Sequence, residues 1–226
     1  MVVVFQRVLC VVCLVPFLVG AGTFPPTDPI IEAARRGDVV ELERLLEQGA
    51  DVNSSRGDGM TALHFAAEQG DGEVVRILLR AEADVGAGTR IGHYTPLHLA
   101  SRGGHVAVAK SLLEAGADAR APTTSSGSTP LHLAASSAGG GAELIALLTE
   151  HGADVNAREL SAGQTPLMFA AEAGEAEAVA ELLARGANPS VTTKVVDALS
   201  GYVRDRAADL ALREAITEFR RSAGPV

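Results

Sequence analysis

The sequence predicts an all-α repeat solenoid, a stack of helix-turn-helix units with projecting β-turns or hairpins, and three observations carry that expectation. Thr95-Pro96-Leu97-His98-Leu99-Ala100 returns as Thr129-Pro130-Leu131-His132-Leu133-Ala134, and in altered form as Thr61-Ala62-Leu63-His64-Phe65-Ala66 and Thr165-Pro166-Leu167-Met168-Phe169-Ala170. The threonine-to-threonine spacings are 34, 34 and 36 residues, the period at which a small helical unit stacks on copies of itself. Leucine pairs follow in phase at 78–79, 112–113, 147–148 and 182–183. A period of this kind replaces the one-or-two-domain estimate for 226 residues with a single stack whose core runs from unit to unit.

The first 24 residues differ in kind from the rest. Gln6 and Arg7 precede an apolar run from Val8 to Val19, and small residues follow at Gly20-Ala21-Gly22. That is the layout of a secretory signal peptide, with Val19 and Ala21 suited to the −3 and −1 sites and cleavage expected after Ala21. The alternative is an uncleaved membrane anchor, although the run falls short of the ~20 apolar residues that cross a bilayer. A lipoprotein is a third option, but Cys10 and Cys13 follow Leu9 and Val12 rather than a small residue. Both cysteines lie in this segment, so cleavage leaves a chain with no disulfide, thiolate nucleophile or cysteine metal site.

Asp28 to Gly59 lacks the threonine motif but keeps Ala33-Ala34, Gly37-Asp38 and Leu45-Leu46. It reads as the N-terminal unit, with Asp28 as helix cap and Pro29 in the first turn. In each later unit the threonine hydroxyl can accept from the free amides of a helix start, and proline is tolerated just inside it. Leu97 and Ala100, three apart, share a face, and the alanine lets the neighbouring backbone approach. Gly70, Gly104 and Gly174 then turn the chain into a longer second helix. That helix ends at Gly49, Gly116, Gly152 and Gly186, where glycine takes the left-handed conformation. Glu82 holds the equivalent place in one unit, at a cost of about 1 kcal/mol. Polar segments from Asp51 to Gly59, Asp84 to Gly92, Asp118 to Gly127 and Asp154 to Gly163 read as projecting tips. Ser136 to Gly141 adds a residue to one inter-helix turn. Past Asn188 the period fails, and Arg206 to Phe219 reads as one amphipathic capping helix.

Thr-Pro-Leu-His, the turn glycine, Leu-Leu and Gly-Ala-Asp-Val-Asn at 152–156, recurring in phase, resemble the ankyrin repeat over about Asp28 to Val226. The expected organisation is a signal peptide at 1–21, a linker at 22–27 and an N-terminal unit at 28–60. Repeats follow at 61–94, 95–128, 129–164 and 165–204, the last with an insertion, and a degenerate cap helix at 205–226. The resemblance implies that the recurring histidines tie neighbouring repeats together. It also implies a non-enzymatic scaffold that binds a protein through a concave face lined by tips and first helices. On that pattern the tips offer Ser55, Asp58 and Met60; Arg90, Ile91, His93 and Tyr94; Thr124 and Ser128; and Leu160, Ser161 and Gln164. The helix stripe beside them offers Arg35, Arg36, Glu68, Gln69, Arg102, Ser136, Ser137 and Glu172. Arg90, Ile91, His93, Tyr94 and Arg102 stand out, because Tyr and Arg dominate binding hot spots and an exposed Ile needs a reason. The plain alternative gives them no partner, since scattered exposed apolar residues are normal.

Other chemistries find little footing. A formal charge of −9, with only Lys110 and Lys194 as lysines, lacks the basic stripe that nucleic acid requires. Histidines one repeat apart lie in successive layers about 10 Å apart, whereas one zinc ion needs ligands at about 2 Å. Neither Gly86-Ala87-Gly88 nor Gly139-Gly140-Gly141 follows the phosphate-loop pattern. No nucleophile, base and orienting group form a trio around Ser125, Ser126 and Ser128. No cofactor and no metal are expected. An exported monomer that binds a protein is the expectation, with a regulatory or protective subunit of a periplasmic or secreted enzyme as the alternative.

Overall fold

The computed structural model describes residues 28–193 and, beyond them, Arg213, Glu214, Thr217 and Arg221. The expected signal segment, the linker and most of the cap helix lie outside the described residues; the last four are helical. Five helix pairs follow one another: α1 Pro29–Arg36 with α2 Val39–Glu47, α3 Ala62–Gln69 with α4 Gly72–Arg80, α5 Pro96–Arg102 with α6 Val106–Glu114, α7 Pro130–Ala135 with α8 Gly141–Glu150, and α9 Pro166–Ala173 with α10 Ala176–Ala184. The first helices α1, α3, α5, α7 and α9 pack in sequence and form the inner layer; the second helices form the outer one.

Local chemistry sets each boundary. Asp28 caps α1 by accepting from the Ile30 amide at 3.1 Å, and Pro29 is its first residue. Asp38 and Asp71 cap α2 and α4 in the same way. Thr61, Thr95 and Thr129 open α3, α5 and α7 in capping boxes with a histidine where glutamate or glutamine is usual. At α9 Met168 replaces that histidine, no box forms, and the buried Thr165 hydroxyl has no partner among the described residues. The expected left-handed turns close the outer helices, with φ of 83° at Gly49, 94° at Gly116 and 62° at Glu82.

The core pairs alanine with leucine or isoleucine in the inner layer and is mainly branched in the outer one. Ala34, Ala66, Ala67, Ala100, Ala134 and Ala170 are fully buried in the inner layer, as are Leu42, Leu78, Leu112 and Leu148 in the outer one. Alanine lets inner helices approach at short range, so a one-methylene change there is felt by two repeats. The turn between α7 and α8 holds two added residues where the sequence suggested one, since Pro130 to Glu150 is two longer than Pro96 to Glu114; they are absorbed where the Gly139 carbonyl rests against Gly104, on which a Cβ would clash with that oxygen.

Candidate interaction surface

The tips are loops held by their own side chains. Thr89–Tyr94, Thr123–Ser128 and Glu159–Gln164 each close with the first amide donating to the last carbonyl, at 3.0, 2.9 and 3.0 Å. The first side chain returns the bond: Thr89 Oγ1, Thr123 Oγ1 and Glu159 Oε1 accept from the last amide, each at 3.0 Å. Glu159, only 2% exposed, also accepts from the Ser161 and Ala162 amides at 2.7 and 2.6 Å and from the Ser161 hydroxyl. Burial alone would raise its carboxyl, but the bonds from Ser161, Gln164 and Ala162 together hold it below the usual range. These three residues escaped the sequence reading; the signal was an acceptor five positions before each tip's last residue.

The tip glycines also needed a shift of register. Residue type pairs Gly92 with Gly127 and Gly163, but the residue equivalent to those two glycines, both at φ 71°, is His93 at φ 51°. A left-handed histidine costs about 1 kcal/mol, and Gly88 leaves the room its ring occupies.

Adjacent tips are bonded into a row. Arg90 N donates to Asp58 O at 2.9 Å, Thr124 N to Gly92 O at 2.9 Å and Leu160 N to Ser126 O at 2.6 Å. At each junction the earlier tip offers a glycine: Arg90 lies over Gly59, Ser125 over Gly92 and Leu160 over Gly127. Among the described residues only one isolated bridge, Ser55 with Thr61, has strand character, so the tips are turns rather than laddered hairpins.

The histidines anchor this row to the helices. His64 Nδ1 accepts from the Thr61 amide at 3.2 Å and lies 2.9 Å from its hydroxyl. A backbone amide can only donate, so the ring is the neutral tautomer protonated at Nε2. That proton goes to the Tyr94 carbonyl of the next tip at 3.0 Å. His132 repeats the arrangement with Thr129 and the Gln164 carbonyl, at 3.2 Å from each backbone atom. His98 takes the Thr95 amide at 3.2 Å and faces the Ser128 carbonyl, but no hydrogen bond closes from its Nε2. Both nitrogens of His64 and His132 are committed, which leaves no lone pair for a metal. Burial lowers all three rings below the ordinary histidine value, His98 to about 4.

The candidate contact residues separate into free and committed groups. Ile91 is 86% and Leu160 66% exposed. Arg90 is exposed, and its guanidinium has no ion pair or hydrogen bond among the described residues. His93 is exposed beside it. Arg102 pairs with Glu68 across adjacent helices at 2.8 Å, and Gln69 Nε2 donates to the Arg35 carbonyl at 2.9 Å. Asp58 accepts from the Met60 amide at 2.9 Å, and Met60 is half-buried against the core. Tyr94 is half-buried and stands edge-on to His98, with ring centroids 5.8 Å apart. Gln164, Ser128 and Ser137 are a correction: all three are buried. Gln164 is drawn in because its carbonyl takes the His132 proton and its amide donates to Glu172 at 3.1 Å.

A hydrogen-bonded row of tips over a layer of short helices defines a repeat scaffold that displays variable side chains on a rigid edge. The chain belongs to the ankyrin-repeat family: the family model "Ankyrin repeats (3 copies)" matches residues 10–89, 30–123, 87–159 and 120–193. It is 44% identical over 79 residues to cortactin-binding protein 2 of Plecturocebus moloch, covering 33% of this chain and 5% of that protein. It is 46% identical over 54 residues to human ankyrin repeat domain-containing protein 40, covering 24% of this chain and 15% of that protein. The chain therefore matches only a small part of each relative's length.

Proposed function

We propose that this protein is an exported, non-enzymatic scaffold that recognises a protein partner through the concave face formed by its tips and inner helices. The observation that carries the reading is Ile91, 86% exposed beside Arg90, which is unpaired among the described residues, on a tip whose backbone is bonded on both sides. Rigid backbone lowers the ordering cost of binding, and an aliphatic group next to an uncommitted guanidinium is the composition of a hot spot. Curvature toward the tips is supported by alanine spacing the inner helices and leucine, valine and isoleucine the outer ones. The name of the cortactin-binding relatives supports a protein as the class of ligand. Export rests on the N-terminal pattern.

The test is a photo-crosslinking residue placed at Ile91, or at Val40 on the outer side, in the full chain expressed in its own host. Crosslinking of one defined protein from position 91 and not from 40 is the expected result; the reverse pattern would move the site. If that protein is an enzyme, binding serves its regulation or protection. Intact mass of the recovered chain tests export, since cleavage after Ala21 leaves a product beginning at Gly22.

A further inference from the structure

The partner's chemistry can be taken further, resting on the reading that the tip face binds a protein. On the inner face Arg36 shares the Glu32 carboxylate with Arg35, at 3.9 and 2.8 Å, and Arg90 has no partner among the described residues. Arg90 therefore remains uncompensated among the described residues of this face, where Glu68 pairs with Arg102, Asp58 with Arg56 and Glu172 adds a further carboxylate, on a chain whose formal charge is −9. An unpartnered guanidinium on an otherwise balanced face selects for a carboxylate at that point and disfavours a basic residue there. Beside that charge stand the two exposed apolar tip residues, Ile91 on the second tip and Leu160 on the fourth. Between them the third tip offers the exposed hydroxyls of Thr124 and Ser125.

We propose that the occupant is an extended acidic segment of the partner protein, laid along the tip row. One of its carboxylates pairs with Arg90, an apolar side chain beside it packs on Ile91, and a second apolar side chain reaches Leu160. Ile91 and Leu160 are two layers apart, about 20 Å at helix-packing distance. An extended chain rises about 3.3 Å per residue, so the two apolar side chains are about six residues apart. Arginine suits the first contact because its planar fork pairs two N–H groups with a carboxylate.

The purified full chain is used to select from a display library of random peptides of about 12 residues, long enough when extended to cross the row. The enriched sequences are expected to carry Asp or Glu next to an aliphatic or aromatic residue. The best of them, synthesised, should weaken about tenfold or more when its acid becomes the amide, and equally on Arg90→Glu. Ile91→Asp should abolish binding, Val40→Asp should not change it, and raised salt should weaken the parent pair more than the Arg90→Glu pair. The Arg90 side chain makes no bond among the described residues, and unchanged thermal unfolding of Arg90→Glu excludes misfolding. Peptides that bind through Ile91 but ignore Arg90→Glu would overturn the acidic partner and keep the tip face. Peptides lost on Val40→Asp and indifferent to both tip variants would overturn the face itself. A library that yields no enriched sequence would overturn the linear segment.

Discussion

Acid should loosen this protein at a pH where its carboxylates are still ionised, and His98 sets the largest share. Its imidazole is fully buried, burial is the leading cause of its lowered pKa, and the ring titrates at about 4 against 6.5 for an ordinary histidine. Because the folded value is depressed, the unfolded chain binds more protons between pH 6.5 and 4, so stability falls as pH falls through that window. Going from pH 7.5 to 5 costs about 2 kcal/mol from this residue alone, and about 3.4 kcal/mol is lost by the time pH drops well below 4. Glu32, Glu41 and Glu159 act in the same direction but in a lower window: each is lowered from 4.5, so their contribution persists at pH 5 and is lost only below it. The assay is urea unfolding followed by helical circular dichroism at pH 7.5, 6.5, 5.5 and 5, for the wild type and His98→Met. Methionine already fills the equivalent place at Met168, 6% exposed. The variant loses the Thr95 bonds and starts less stable, but its loss between pH 7.5 and 5 should be smaller by about 2 kcal/mol. A residual slope from His64 and His132 remains in both. Parallel pH profiles for the two chains would refute the reasoning.

Thr165→Val removes a buried hydroxyl that has no partner among the described residues and should leave stability unchanged or raise it by up to about 1 kcal/mol, whereas Thr129→Val breaks the bond to His132 and should cost about 1–2 kcal/mol; paired denaturant titrations decide this. Glu82→Gly relieves the left-handed strain at φ 62° and should raise stability by about 1 kcal/mol, read as a higher melting temperature. Gly104→Ala places a methyl against the Gly139 carbonyl at φ 74° and should destabilise by about 2 kcal/mol or more. An unchanged melting temperature would mean that the loop does not rest there. Glu159→Gln retains two acceptor sites on one oxygen but turns the other into a donor facing amides. It should lower stability at pH 7 by about 1–3 kcal/mol, with the deficit shrinking below pH 4.5 as the wild-type carboxyl protonates.

The scaffold was legible in the sequence because its constraints are local and repeated. A helix start needs a capping residue, a left-handed helix end needs glycine, and a tight inner layer needs alanine; each recurs every 34 to 36 residues, so one occurrence supports the next. Glu82 shows how strong that support is. The repeat demanded a left-handed residue there, and the backbone adopts φ 62° although glutamate resists it. The tips were less legible, since they answer to one another rather than to the repeat. His93 stands in the glycine register, 34 residues before Gly127, but residue type points instead to its neighbour Gly92.

Burial separated the candidate surface in a way that residue type could not. Gln164 and Arg90 are both polar tip residues, yet Gln164 closes a bond with His132 and another with Glu172, while the Arg90 guanidinium closes none among the described residues. A side chain held by its own protein must break those bonds before it can bind another, so its contribution to a partner is reduced by what it gives up. By that measure Tyr94, which stands against His98, and Arg102, which pairs with Glu68, serve the stack first. Replacing Tyr94 to test binding would therefore confound recognition with folding. Arg90, Ile91 and Leu160 have no side-chain hydrogen bond or ion pair among the described residues, and the tips that carry them are fixed by backbone bonds rather than by these side chains. They can change without disturbing the stack, which is the physical condition for a surface to acquire its own specificity.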